Sequence, residues 1–223
     1  MNTALEELVQ AARGLVRAGL VTGAGGNVSV REGERMWISP SGFSFEDADA
    51  RHYPCVSVAT GEVLEGAQRP SSEVLMHLYT YRVRPDVTAI VHAHPKMTIA
   101  LCSAGHDLRA LYADYHVYLG RNVPHLAYVT VTTPELARLV EREFAAPDCQ
   151  GMVLRNHGTI TVGASVREAV FRTYAIEEQA FIQWHALQVG EPQFLSEEEL
   201  AKLDALDSEA YRRRLLAEMR AGT

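Results

Sequence analysis

The stretch VTAIVHAHP at residues 87–95 decides the fold prediction, because an apolar run ends there in two histidines and a proline. Apolar, β-branched residues bounded by a proline are typical of a buried strand. Side chains alternate across a strand, so His92 and His94 point to the same side. Two imidazoles placed in this way can bind one divalent cation. Taken alone, the pair leaves open a second interpretation, in which one histidine packs in the interior and the other is solvated.

A third histidine and a glutamate also lie where a secondary-structure element meets a loop. His157 is in the tight turn Asn156-His157-Gly158, and Glu73 is at the start of a helix. Three histidine ligands leave one coordination position open, which is typical of catalytic zinc sites. Taken singly, His157 could be a hydrogen-bonded turn residue and Glu73 could only complement the helix dipole. His77 follows Glu73 by four residues and could orient it, although a structural role is the more common one.

Outward from these residues, short strands alternate with amphipathic helices. Helices are predicted over the first twenty residues, at 71–84 with Ser71 as N-cap, from Pro95, at 133–144, at 166–189 and from Ser196. Strands are predicted at 28–30, 36–38, 56–58, 63–64, 87–92, 123–131, 152–154 and 159–162. We therefore predict a single α/β domain over residues 1–223. Its central sheet is expected to be mixed or mainly antiparallel and to be flanked by helices in an αβα sandwich.

Composition and charge exclude several classes of protein. The chain of 223 residues has a formal net charge of -7, which argues against nucleic-acid binding. No apolar run approaches the roughly 20 residues that span a membrane, and Glu6 and Glu7 stand where a signal peptide carries positive charge. The three cysteines are scattered and form no metal-binding or disulfide pattern. A cytoplasmic protein that binds neither nucleic acid nor membrane is expected.

Three clusters of small polar residues suit the binding of a phosphate group. They are GGNVS at 25–29, SPSG at 39–42 and the serine pair 71–72. Small side chains let backbone amides approach an anion, and a helix N-terminus adds positive potential. Ordinary turn chemistry is the alternative explanation for each cluster. The phosphate-binding pattern of a P-loop is absent.

Together, the segments GNVS at 26–29, SPSG at 39–42, PSSE at 70–73, HAHP at 92–95 and NHG at 156–158 resemble the class II aldolase/adducin family. The resemblance implies that His92, His94 and His157 bind one divalent metal ion per chain, zinc first and otherwise Co²⁺, Mn²⁺ or Fe²⁺. It implies that Glu73 is the catalytic base and also a metal ligand when substrate is absent. It further implies phosphate contacts from a group of five residues, namely Asn27, Ser41, Gly42, Ser71 and Ser72.

The implied reaction is a metal-dependent cleavage or formation of a ketose 1-phosphate. Dihydroxyacetone phosphate and an aldehyde are exchanged through a metal enediolate, and the aldolases of L-fuculose 1-phosphate are the most similar branch. That branch carries a catalytic tyrosine after the H-x-H helix, where a gapless alignment puts Ala113. Tyr112 and Tyr115 are close to that position without falling on it, and we take Tyr115 as the candidate proton donor. Tyr211 could supply a hydroxyl to a neighbouring subunit's site. A homotetramer is also implied.

Two alternatives stay open at this point. The first is a relative acting on another phosphosugar, either an aldolase or dehydratase of 5-deoxyribulose or methylthioribulose 1-phosphate, or a 4-epimerase or decarboxylase. Epimerases of the family carry Asp at the position of Glu73, and its decarboxylases tend to lose the acid, which disfavours both. The second is a non-catalytic, adducin-like interaction module. The intact histidines and Glu73 argue against it, because a scaffold does not need them.

Overall fold

The fold is built on one eight-stranded sheet. The computed structural model describes residues 3–218. The strands are β1 (Asn27–Glu32), β2 (Arg35–Ile38), β3 (Cys55–Ser57), β4 (Val63–Glu65), β5 (Ala89–Ala93), β6 (His125–Leu126), β7 (Gly151–Leu154) and β8 (Gly158–Gly163). Their order across the sheet is β4-β3-β2-β1-β5-β8-β7-β6. Every neighbouring pair is antiparallel except β6 and β7, which are parallel, so the predicted mainly antiparallel, mixed sheet is confirmed.

Helices cover both faces of this sheet. They are α1 (Thr3–Arg17), α2 (Val74–Val83), α3 (Lys96–Ser103), α4 (Ala113–Leu119), α5 (Pro134–Phe144), α6 (Val166–Val189), α7 (Glu197–Asp204) and α8 (Asp207–Glu218). On one face, α1 and α6 pack against Val91 and Ala93. On the other, α2 and α5 pack against Ile90, Ile160 and Val162. This is the predicted αβα sandwich.

The alternation of side chains along β5 sends His92 to the face that α2 covers. His92 has the same parity as Ile90, which lies in the core cluster under α2 and α5. Antiparallel pairing with β1 puts Asn27 opposite His92 and Ser29 opposite Ile90. Polar side chains from two central strands therefore meet the underside of α2.

The start of α2 differs from the prediction that Ser71 is its N-cap. Glu73 occupies the N-cap position, and no side chain caps the helix there. The Ser71 hydroxyl instead accepts a hydrogen bond from the backbone N–H of Glu73, at 3.3 Å, in the turn that precedes the helix. The Glu73 carboxylate is therefore free of capping and can face the histidines.

Three other elements differ from the sequence prediction. Helix α4 was not predicted, because its seven residues are too few for a helical period to stand out. The predicted strand at 123–131 is reduced to the two residues of β6, since the rest of that segment runs without a partner strand. The single predicted C-terminal helix is broken at residues 205–206 into α7 and α8.

Within residues 3–218, every helix is too short or too polar to cross a membrane. The three cysteines are buried free thiols.

Packing against α5 is expected to hold α2, and with it Glu73 at the N-cap of α2, in place. Phe144 is fully buried in the cluster that joins these helices, whereas Arg138 on α5 is exposed. Phe144→Ala should lower the free energy of unfolding by about 3–5 kcal/mol, because it removes buried apolar surface and leaves a cavity. Arg138→Ala, the matched control, should stay within about 0.5 kcal/mol of the parent. Urea unfolding measures both, and equal effects of the two would contradict this packing.

Candidate metal centre

Four predicted residues converge at one point between the sheet and α2. Each of Glu73, His92, His94 and His157 offers a ligand atom, and these atoms all lie within 4.8 Å of one another. His92 is in β5 and His94 follows that strand, while His157 is in the turn from β7 to β8 and Glu73 immediately precedes α2. The cluster thus joins residues that are distant in sequence, since Glu73 and His157 are 84 positions apart.

The turn that carries His157 depends on its two neighbours. Asn156 has a positive φ of 59°, which asparagine tolerates better than most side chains do. Gly158 begins β8 beside β5, and a Cβ atom there would lie 2.2 Å from the carbonyl oxygen of Ala93. Only glycine permits this approach of the two strands. The close contact brings the His157 ring to within 5.4 Å of the His94 ring, centre to centre.

A hydrogen bond fixes the orientation of the His92 ring. Its Nδ1–H donates to the carbonyl oxygen of Thr159, at 2.9 Å, so that Nε2 faces the other residues of the cluster. That Nε2 atom lies 3.0 Å from Nε2 of His94 and 3.1 Å from Oε2 of Glu73. The other carboxylate oxygen of Glu73 lies 3.3 Å from Nε2 of His157. Four ligand atoms therefore face one another.

The donor set fits a divalent cation. Electron-pair donors in such contact repel one another unless a proton or a cation lies between them. Glu73 Oε1 is buried without a hydrogen-bond partner among the described residues. Three imidazoles and one carboxylate suit zinc and related first-row divalent ions, while Mg²⁺ and Ca²⁺ prefer all-oxygen sites. These residues could thus hold one such ion.

Charge and burial shift the pKa values of Glu73 and His94 in the cluster. Burial raises the pKa of Glu73, but His92 and His157 outweigh that effect and hold it well below its ordinary value. Burial, followed by the neighbouring His92 and His157, lowers the pKa of His94 to about 4. At neutral pH the cluster accordingly contains an ionised carboxylate and an unprotonated His94.

A cavity of about 300 Å³ opens beside this cluster. All five residues of the predicted phosphate site line it, together with Glu73, His94 and His157. The three small polar clusters, far apart in sequence, thus surround one space. The other lining residues, Ala24, Gly25, Gly26, Pro40, Val131 and Thr132, include no lysine or arginine.

Val131 and Thr132 were missed as site residues by the sequence analysis. The predicted strand ends at Val131, and no element is predicted at Thr132, which has a positive φ of 66°. For a β-branched residue this conformation is an outlier, and such strain concentrates at functional sites. The only sequence signal nearby is the helix start at Thr133-Pro134, which requires the chain to turn there.

Tyr115, the predicted proton donor, lies elsewhere. Its side chain is buried in an apolar cluster with Leu101, Leu119 and Ile176, and burial raises the pKa of its hydroxyl. It lines a separate cavity of about 160 Å³ between α4 and α7. The inward face of α4 places it there, so Tyr115 has no part in the mechanism proposed below. No tyrosine within residues 3–218 lines the 300 Å³ cavity.

Comparisons with known proteins identify the family of this chain. The profile of the Class II Aldolase and Adducin N-terminal domain matches residues 6–184. The 5-deoxy-D-ribulose 1-phosphate aldolase of Bacillus thuringiensis is 34% identical over 201 residues, which cover 89% of this chain and 92% of that protein. The L-fuculose phosphate aldolase of Escherichia coli K12 is 29% identical over 201 residues, with coverages of 90% and 92%. A solved L-fuculose 1-phosphate aldolase structure has a TM-score of 0.85 at 29% identity and covers 95% of this chain and 97% of its own. The chain belongs to the class II aldolase and adducin family.

Proposed function

We propose that the protein is a metal-dependent aldolase that cleaves or forms a ketose 1-phosphate, exchanging it with dihydroxyacetone phosphate and an aldehyde. The observation that carries the proposal is the contact of Glu73 with three imidazoles at the edge of a cavity lined by small polar loops. His92, His94 and His157 would hold the ion, with Glu73 as a fourth ligand when substrate is absent. The ion supplies Lewis-acid stabilisation of negative charge on the substrate's oxygen atoms.

Glu73 would move the proton at the reacting carbon. Its carboxylate is ionised because His92 and His157 lower its pKa, so it can accept a proton. In the direction of synthesis it takes a proton from the hydroxylated carbon of dihydroxyacetone phosphate, and in cleavage it returns one. A positioned base of this kind contributes roughly a hundred- to ten-thousand-fold to the rate.

The phosphate would be bound by neutral groups. Ser41 and Gly42 on one loop and Ser71 and Ser72 before α2 line the cavity, as does Asn27. The N-terminus of α2 adds positive potential at the same place. Hydroxyls and backbone amides would therefore bind the phosphate in place of lysine or arginine side chains.

Two substrates are the leading candidates. The named activities of the relatives concern 5-deoxyribulose 1-phosphate and L-fuculose phosphate, and the first of these relatives is the more similar in sequence. A third relative, from Rhodospirillum rubrum, is named for 5-methylthioribulose-1-phosphate as well as 5-deoxyribulose-1-phosphate and is 32% identical. We propose L-fuculose 1-phosphate and 5-deoxyribulose 1-phosphate as first choices. A screen of ketose 1-phosphates for release of dihydroxyacetone phosphate separates them.

We also propose that residues 1–223 form one domain, that the protein acts in the cytoplasm and that it forms a homotetramer. Buried free thiols suit a reducing compartment. Phe181, Trp184 and Val189 on α6 are exposed apolar side chains that a neighbouring subunit could cover. Light scattering tests the tetramer, and an active monomer would contradict it.

About one divalent ion per chain is expected in gently purified protein. His92→Ala removes a ligand and should lower both the metal content and the rate of aldol cleavage. His106→Ala changes an exposed histidine outside the cluster and should leave the metal content unchanged. Elemental analysis of the parent and both variants decides the matter. Full activity of metal-free protein in the presence of a chelator would refute the proposal.

Glu73→Gln should keep the fold and the metal but lose turnover. Glutamine has the size of glutamate, and its side-chain oxygen can still accept the hydrogen bond that Asn27 donates. It has no basic oxygen, so deuterium exchange into dihydroxyacetone phosphate should slow by roughly a hundred- to ten-thousand-fold. Exchange at the parent rate would show that another group takes the proton.

Ser72→Asp should weaken the binding of ketose 1-phosphate while leaving the metal in place. Ser72 is exposed at the cavity wall, so an aspartate there fits sterically and puts a negative charge against the phosphate. Ser103→Asp adds the same charge at an exposed position on α3 and should leave KM unchanged. A KM for Ser72→Asp equal to that of the control would mean that the phosphate binds elsewhere.

A further inference from the structure

A line of polar side chains runs between α2 and β1, away from the metal centre and into the interior. Glu73, His77 and Tyr81 follow one another at intervals of four residues at the start of and along α2, and Asn27 and Ser29 are two residues apart on β1. Four helical residues advance about 6 Å and two strand residues about 6.6 Å, so the two rows stay in step. Helix and strand side chains therefore alternate along the line.

Each neighbouring pair in this line is in hydrogen-bond contact. Asn27 Nδ2 donates to Oε2 of Glu73 at 2.9 Å. His77 Nε2 lies 2.6 Å from Oδ1 of Asn27, and His77 Nδ1 lies 2.7 Å from the Ser29 hydroxyl. The Ser29 hydroxyl lies 2.9 Å from that of Tyr81. Asn27, Ser29, His77 and Tyr81 are each at most 3% exposed, so water does not compete for these bonds.

The chemistry of Glu73 fixes the direction of the two hydrogen bonds nearest to it, those donated by Asn27 and by His77 Nε2. An ionised carboxylate only accepts, so Asn27 must present its NH₂ group to Glu73 and its carbonyl oxygen to His77. That oxygen also only accepts, so His77 must donate from Nε2. Burial and the nearby His92 lower the pKa of His77 to about 3, so its ring is neutral and Nδ1 accepts from Ser29. The Tyr81 hydroxyl can donate to the Ser29 hydroxyl, and it also lies within hydrogen-bond distance of the carbonyl oxygens of Ser29, at 3.2 Å, and of Thr88, at 3.3 Å.

We propose that His77 is a positioning residue that holds the Asn27 amide in the one orientation that directs an N–H, and not the carbonyl oxygen, at Glu73. Without the Nε2–H of His77, the Asn27 amide could rotate by half a turn. Its carbonyl oxygen would then face the Glu73 carboxylate and repel it. The base would then lose the hydrogen bond that aims Oε2. The inference rests on the proposed role of Glu73, and it assigns the direction of that side chain to a residue that lacks any contact with the cavity.

Two substitutions at His77 separate positioning from mere packing. In His77→Gln the side-chain nitrogen reaches about as far as Nε2, so it can still donate to Asn27. In His77→Asn the amide reaches only about as far as Nδ1, so it can keep the Ser29 contact but not the Asn27 contact. Both replacements are polar and smaller than or similar to histidine, so both should cost stability. Thr80→Val is the control, because Thr80 is a buried polar residue of α2 that donates to Met76 of its own helix.

The expected result is a loss of kcat for ketose 1-phosphate cleavage in His77→Asn alone. A base misplaced by about 1 Å costs up to roughly a hundredfold in rate, so kcat should fall by about ten- to a hundredfold with KM and metal content little changed. His77→Gln should recover most of kcat, and Thr80→Val should keep it. In a Glu73→Gln background, His77→Asn should have no further effect on kcat. Equal losses in the Asn and Gln variants, or losses that add to that of Glu73→Gln, would overturn the proposal.

A second readout is independent of turnover. Two-bond ¹H–¹⁵N spectra of the purified protein should show His77 as the neutral Nε2–H tautomer at neutral pH. A neutral Nδ1–H tautomer, which leaves Nε2 without a proton, would contradict the inference even if the enzyme is active. If the parent protein fails to exchange deuterium into dihydroxyacetone phosphate while this tautomer is present, the proposed function fails and the hydrogen-bond line stands.

Discussion

The contact between Gly158 and the carbonyl oxygen of Ala93 is the constraint on which the metal centre depends. No side chain fits between them, since a Cβ atom would lie 2.2 Å from that oxygen. The contact lets β8 begin directly beside the end of β5, with Thr159 opposite Ala93. His157 then reaches His94, and the Thr159 carbonyl oxygen orients His92. The absence of a side chain at Gly158 thus permits two things. His157 can approach His94, and the Thr159 carbonyl oxygen can accept the hydrogen bond that orients His92.

Polar groups in the middle of a sandwich core are costly unless each is paired. In this fold, most of them are paired by hydrogen bonds between a strand and a helix. Asn27 and Ser29 interrupt the apolar residues of β1 and bond to α2, while the rest of α2 packs on α5 through apolar contacts. The polar line therefore ends on one side at the cavity and on the other at Tyr81, well inside the protein. One buried atom without a hydrogen-bond partner among the described residues, Oε1 of Glu73, lies at the candidate metal centre.

The sequence predicted those features that repeat locally or recur within the family. Strand alternation placed His92 and His94 on one face, and turn residues marked the site of His157. Register across the sheet is set by contacts distant in sequence, so neither the pairing of Asn27 with His92 nor the contact of Gly158 with Ala93 could be predicted. The position of Tyr115 along the chain indicated a catalytic role. However, every third or fourth residue of a packed helix faces inward, and Tyr115 lies on the inward face of α4, in the core. His77 contacts Glu73 through Asn27, which lies on β1. The four-residue spacing of His77 and Glu73 indicated only that His77 could orient Glu73.

The most direct test of this account is a crystal structure of the metal-loaded protein measured at the absorption edge of its metal. One anomalous peak per chain is expected, bounded by Nε2 of His92, His94 and His157, with a Glu73 oxygen as its fourth neighbour. A peak at another site, or histidines that stay in mutual contact without a peak between them after loading with zinc, would contradict it.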